Sequence, residues 1–190
     1  MQIEYEATFI NINKDEMRHR LQKAGAVLVR PEYLQKRIPF FPPIEMDVRD
    51  SWLRVRDEGD KITMSLKVID GDKIEDQKEI CLTISDFDNA VELLKEIGCR
   101  PKSYQESKRE LWKLDGVEVT IDEWPFLEPF VEVEGPSEEA VRAVSQKIGF
   151  DYRGALFCAV GKLYHMKYGI HPDQINTLEK IVFDMENPFT

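Results

Sequence analysis

Apolar and polar residues alternate from Ile3 to Ile10, which is the period of a half-buried strand. Asn13 then has the character of a helix cap, with Asp15 and Glu16 in the first turn, Met17, Leu21 and Ala24 at helical spacing, and Gly25 past the end. Tyr33 to Phe41 predicts a second strand stopped by Pro42-Pro43, with a loop from Pro42 to Asp50. A meander follows: strands at Trp52–Arg56, Ile62–Val68 and Gln77–Thr83, separated by turns at Asp57-Glu58-Gly59-Asp60 and Asp70-Gly71-Asp72. Ser85-Asp86 opens a helix carrying Ala90, Val91, Leu94 and Ile97 that ends at Gly98. Strands at Lys102–Leu114, Val117–Glu123 and Phe130–Glu134 bring the expected count to eight. Ser137 caps a helix to Ile148, and Pro172 begins one that runs through Ile175, Leu178, Ile181 and Val182. No low-complexity linker or internal repeat divides the chain, so residues 1–190 are expected to form one domain. The expected fold class is α+β, an eight-stranded antiparallel barrel closed on itself with helices packed outside, because closure removes exposed edges.

The polar faces of these strands are sorted by charge. Glu4, Glu6 and Thr8 share one face of the first strand; Glu118, Thr120 and Asp122 share one in the seventh, and Glu132 and Glu134 one in the eighth. Arg54 and Arg56 share a face of the third strand, and Thr63, Ser65 and Lys67 a face of the fourth. A solvated face of an antiparallel sheet is the simple explanation for any single strand. Segregation of carboxylates from guanidinium groups suits a face that holds metal and phosphate together. Two carboxylates spaced i, i+2 stand about 7 Å apart and can share a hard cation such as magnesium. Two arginines spaced likewise present planar forks to phosphate oxygens.

Composition narrows the partners. With 26 Lys+Arg against 36 Asp+Glu the formal charge is −10, which argues against general binding to nucleic acid or anionic membrane. No run approaches the roughly 20 apolar residues of a membrane span, and no apolar signal core opens the sequence, so a cytoplasmic location is expected. Cys81, Cys99 and Cys158 form no Cys-x-x-Cys pair, and His19, His165 and His171 have no ligand spacing, so neither a disulfide framework nor a zinc site is expected.

Several segments together resemble the CYTH superfamily of triphosphate tunnel metalloenzymes. They are Glu4-Tyr5-Glu6-Ala7-Thr8-Phe9, Trp52-Leu53-Arg54-Val55-Arg56, Ser65-Leu66-Lys67, Lys108-Arg109-Glu110-Leu111-Trp112, Val119-Thr120-Ile121-Asp122-Glu123-Trp124-Pro125 and Pro129-Phe130-Val131-Glu132-Val133-Glu134-Gly135. The superfamily includes class IV adenylyl cyclases, thiamine triphosphatases and inorganic triphosphatases, and the resemblance spans roughly Met1 to Asp184. It implies an eight-stranded tunnel in which Glu4, Glu6, Glu132 and Glu134 ligate Mg2+ or Mn2+, while Arg54, Arg56, Lys67 and Arg109 bind a triphosphate. It places Glu4, Glu6 and Asp122 at the catalytic centre, Glu79 at a further acidic position and Lys162 near the phosphates. The implied partner is a triphosphate-containing small molecule, the implied state a monomer or homodimer, and the implied reaction phosphohydrolysis or cyclisation of ATP to cyclic AMP. Two positions depart from the pattern: Thr8 and Ser107 stand where lysines are usual, and Lys36 or Arg37 on the second strand is placed to compensate. Two alternatives stay open: a tunnel that binds a nucleotide or polyphosphate without turning it over, and Arg54 and Arg56 serving as internal salt-bridge partners of Glu4 and Glu132.

Overall fold

In the computed structural model, which describes residues 1–190 except 45–47 and 49, the expected first strand is broken in two at Glu4. Its first piece, β1 (Gln2–Ile3), pairs antiparallel with β6 (Gln77–Ile84), aligning Gln2 with Glu79. Its second piece, β2 (Tyr5–Phe9), pairs with β10 (Phe130–Gly135), aligning Glu6 with Glu134 and Thr8 with Glu132. The Glu4 N–H donates to the Gln77 carbonyl at 2.9 Å, so the break costs no backbone hydrogen bond there. Between these ends the sheet runs β6, β5 (Ile62–Ile69), β4 (Asp50–Asp57), β3 (Val27–Phe41), β8 (Tyr104–Leu114), β9 (Val117–Glu123), β10. One short N-terminal segment thereby joins both ends of an antiparallel sheet and nearly closes it into a barrel. At the remaining seam, beside Thr8, the C-terminal chain fills in. Thr8 N–H donates to the Leu156 carbonyl at 2.9 Å and Leu156 N–H returns a bond to Thr8 at 3.0 Å.

The expected elements recur with three differences. β3 begins at Val27, not Tyr33, because its pairing with β8 continues through register shifts on either side of Arg30, next to Pro31, which has no N–H to donate. The C-terminal helix α5 (Pro172–Thr177) ends five residues before Val182. Lys180–Ile181 instead form β11, parallel to β8, which buries Ile181 completely. A two-residue β7 (Arg100–Pro101) rests on the end of β3. Residues 45–47 and 49 of the expected loop 42–50 lie outside the described residues.

Helices cover much of the apolar outer face. Helix α1 (Lys14–Ala24) is capped by the Asn13 side chain, which accepts from Glu16 N–H, and it ends at Gly25 in the left-handed region, φ 85°. With α3 (Glu138–Lys147) it packs Met17, Leu21, Val141 and Val144 onto Ala7, Phe9, Val119, Ile121, Val131 and Val133. Helix α2 (Phe87–Glu96) sets Val91 and Leu94 against Phe40 and Val55. Helix α4 (Gly161–Tyr168) and α5 cover Trp124 and Phe130 with Leu163, Tyr164 and Ile175. Three apolar clusters therefore lie outside the barrel, while Ile80 and Leu82 on the outer face of β6 stay exposed, and the polar lining turns inward. No helix among the described residues is long and apolar enough to cross a membrane.

Candidate active site

Residues directly opposite one another in an antiparallel pair share a face. The registers Glu6–Glu134, Thr8–Glu132, Glu132–Thr120, Arg109–Asp122, Arg37–Arg56, Arg54–Ser65 and Lys67–Glu79 carry one polar face around the inside of the barrel. Of this lining, Thr8, Gln35, Arg37, Thr63, Ser65, Ser107, Thr120 and Asp122 are buried.

Three carboxylates converge where the first strand breaks. One oxygen from each of Glu4, Glu6 and Glu134 lies within 4.8 Å of the others. The Lys67 ammonium donates to both oxygens of Glu4, at 2.6 and 2.8 Å. Burial first, then the charges of Glu132 and Glu4, push the Glu6 carboxyl well above its ordinary pKa. Glu134 is exposed as a residue but turns its carboxylate into the cluster, where lost solvation and Glu4 raise it to about 7. Burial opposes the charge of Lys67, yet Glu4 and Glu6 outweigh it and hold its pKa up. An all-oxygen donor set in which the Glu6 and Glu134 carboxyls resist ionisation fits a hard divalent cation, which would neutralise it. Glu132, expected in the same set, is drawn aside: the Arg109 guanidinium donates to it, and burial and Asp122 raise its pKa.

Opposite lies a basic wall. Arg109 donates to Asp122 at 2.7 and 3.0 Å, and Thr120 Oγ donates to the same carboxylate at 2.6 Å. The fully buried Asp122 thus orients Arg109 and stands apart from the carboxylate cluster. Asp122 and Glu132 overcome burial and raise the Arg109 pKa well above its usual value. Arg54 pairs with Glu79 at 3.3 Å and Arg56 with Glu58 at 2.6 Å. These partners replace the Glu4 and Glu132 pairings considered from sequence, because strand order sets Glu79 two strands from Arg54 and the β4–β5 turn returns Glu58 to Arg56. Burial and the neighbouring Arg56 lower the pKa of Arg54. The Nε atoms of Arg37, Arg54 and Arg56 are buried and find no hydrogen-bond partner among the described residues.

Of the residues around the lining, Glu58 and Cys158 were not legible as site residues, and Arg37 was one of two candidates on its strand. Arg37 faces the lumen whereas Lys36 is exposed, which settles which of the two lies inside; the alternation Tyr33, Gln35, Arg37 carried that signal. Glu58 sits in a turn, where periodicity says nothing. Cys158 lies close enough to Glu6 and Glu132 that burial and their charge push its thiol up to about 12. Glu110 points outward, buried against Arg18 at 2.9 Å and Trp112 Nε1 at 2.7 Å, and serves the outer packing. Lys162 falls in the first turn of α4, exposed and, among the described residues, without an ion pair; its charge is felt at the Cys158 thiol, as are those of Glu6 and Glu132. A cavity of about 250 Å³ beside α4, lined by Ile10, Leu127, Leu163 and Lys167, holds none of the predicted site residues.

The CYTH domain family model matches residues 2–163. No curated protein matches the sequence. Solved structures do: a conserved hypothetical protein of Pyrococcus furiosus is 25% identical with a TM-score of 0.71, over 84% of this chain and 99% of that one. A candidate adenylate cyclase of Vibrio parahaemolyticus is 14% identical with a TM-score of 0.71, over 85% and 97%. A candidate adenylyl cyclase of Hippeastrum, described as having a dominant triphosphatase activity, is 15% identical with a TM-score of 0.56, over 87% and 96%. The last two establish the likeness of fold alone.

Proposed function

The chain belongs to the CYTH domain family, and from that premise we propose that it is a divalent-metal-dependent enzyme acting on a triphosphate held inside the barrel, by phosphohydrolysis in preference to cyclisation of ATP. The observation that carries this reading is the pairing, in one lining, of a three-carboxylate cluster with guanidinium Nε atoms that have no partner among the described residues. A cluster of like charges and a set of unsatisfied cations are both costly alone and complementary to a cation–polyphosphate complex.

In this reading Glu4, Glu6 and Glu134 hold Mg2+ or Mn2+, with Glu132 beside them. When bound, the cation neutralises phosphate charge and polarises the oxygens it touches. Arg54, Arg56, Lys67 and Arg109 orient the phosphate chain and offset charge that develops on it, which is most of what phosphoryl transfer asks of a protein. Asp122 keeps Arg109 aimed. A carboxylate oxygen of Glu4 or Glu6 orients the attacking water. Lys162, unpaired among the described residues and with its charge felt at Cys158 beside Glu6 and Glu132, is a further cation to meet the phosphate chain from α4. A second reading, a polyphosphate-binding tunnel without turnover, is favoured by Thr8 and Ser107, neutral residues at lining positions where lysines are usual.

The deciding assay incubates purified protein and Mg2+ or Mn2+ with tripolyphosphate, ATP and thiamine triphosphate, following phosphate and cyclic AMP. Phosphate release that Glu6→Gln abolishes supports the hydrolase. Binding without turnover supports the second reading. If no substrate is bound or consumed, and Glu132→Ala alters nothing, the tunnel enzyme is excluded.

A further inference from the structure

The lining holds one cation whose position departs from those already assigned. Arg37 is 5% exposed on β3, directly opposite Arg56 on β4 and Gln105 on β8. Its Nη2 donates to Gln35 Oε1 at 2.6 Å and to Ser107 Oγ, and its guanidinium lies over the Trp124 ring, 4.4 Å from the centroid. Those neighbours are themselves fixed: Gln35 and Ser107 are both fully buried, and Ser107 Oγ donates to Gln35 Oε1 at 3.2 Å. Every one of them is neutral. Arg54, Arg56 and Arg109 each have a carboxylate partner. Among the described residues no carboxylate lies within ion-pair distance of Arg37, and its Nε is buried without a partner. A buried cation clamped by neutral groups has no counter-charge within the protein; burial and then Arg56, Arg54 and Arg109 push the Arg37 pKa well below its ordinary value, and an anionic ligand would offset that cost.

We infer that Arg37 is an anion-binding and length-selecting residue, taking the phosphate farthest from the carboxylate cluster and so favouring linear polyphosphates of three or more phosphates. The inference rests on the reading of the barrel as a triphosphate site. Ser107 shows how the charge arrives there: β8 offers a hydroxyl at that point, and the guanidinium that touches it comes from β3. In the strand order β3 stands midway between β6 and β10, the two strands that β1 and β2 join, so Arg37 is borne on the strand farthest around the sheet from the seam that carries Glu4, Glu6 and Glu134, whereas Lys67 is the cation that meets Glu4. A phosphate chain that starts at the cluster reaches Arg37 only with its far end. Pyrophosphate is too short to use it.

The test measures tripolyphosphate and pyrophosphate binding by calorimetry in saturating Mg2+, for the wild type, Arg37→Gln, Arg37→Lys and Arg54→Gln. Arg37→Gln is expected to weaken tripolyphosphate roughly 10- to 100-fold, the range of one lost charge-assisted contact, and pyrophosphate less than about 3-fold. Arg37→Lys, which keeps the charge but loses the stacked fork, should recover part of the preference. It also serves as the variant to read if the glutamine protein does not fold. Equal losses for both ligands, or none, would overturn the inference, because a stacking or packing role has no means of sensing ligand length. If Arg54→Gln loses both ligands while both Arg37 variants keep the wild-type ratio, only the role of Arg37 fails. A wild type that binds neither ligand overturns the triphosphate site itself.

Discussion

The two faces of the same strands are built on opposite terms. On the outside, Ala7, Phe9, Val119, Ile121, Val131 and Val133 are nearly inaccessible and meet residues of α1 and α3, and Phe9 also stacks on Phe150, past the end of α3, with ring centroids 4.2 Å apart. On the inside, alternate residues of the same strands are charged, several carboxyls resist ionisation, and three guanidinium Nε atoms lack partners. One face is satisfied within the protein and the other only in part. The difference teaches which residues hold the fold and which hold a ligand, since the lining carries unmet hydrogen-bonding and charge that the outer packing must offset.

Substitutions should separate the two faces. Phe9→Ala removes a buried, stacked ring and is expected to lower unfolding stability by about 3–5 kcal/mol, measured by denaturant titration, while the affinity of the folded fraction for tripolyphosphate stays unchanged. A large change in affinity without loss of stability would break the distinction. Arg54→Ala should do the reverse, cutting kcat/KM for tripolyphosphate by about 100- to 1,000-fold through the loss of a donor to the phosphate chain, with far less effect on stability than Phe9→Ala.

The smallest expected effect concerns pH. In the native state Glu6, Glu132 and Glu134 hold protons more tightly than in the unfolded chain, Glu134 with a pKa of about 7. Native protein therefore carries more protons than unfolded protein from the ordinary carboxylate range up to about pH 7. Without metal, their contribution to stability falls as pH rises through that window. A divalent cation competes with those protons, so Mn2+ should raise Tm more at pH 8 than at pH 5.5. At 100 times its Kd the gain is about 2.7 kcal/mol. A larger rise at pH 5.5 would contradict carboxylate ligation.

Much of this contrast was legible in the chain. Alternation separated the Glu4 and Glu6 face from Tyr5 and Ala7, and Arg54 and Arg56 from Leu53 and Val55. Asn13, Ser137 and Gly25 marked helix ends that the structure repeats. Local geometry decides such features, and local residues report it. The break at Glu4 was not legible, because it follows from the two ends of the sheet meeting there. Nor was the strand at Lys180–Ile181, where an edge of β8 competes with helical spacing and prevails.

Sequence by itself determined the sorting of charge: which strands carry carboxylates, which carry cations, and which face of each is apolar, since a period of two leaves one side or the other. Only tertiary structure decided that the charged faces point inward together, that Glu134 joins Glu4 and Glu6 while Glu132 turns to Arg109, and that the groups holding Arg37 are neutral. Those outcomes depend on which strands become neighbours across the barrel, and strand order is set by closure over many residues, a property that no short stretch of chain contains.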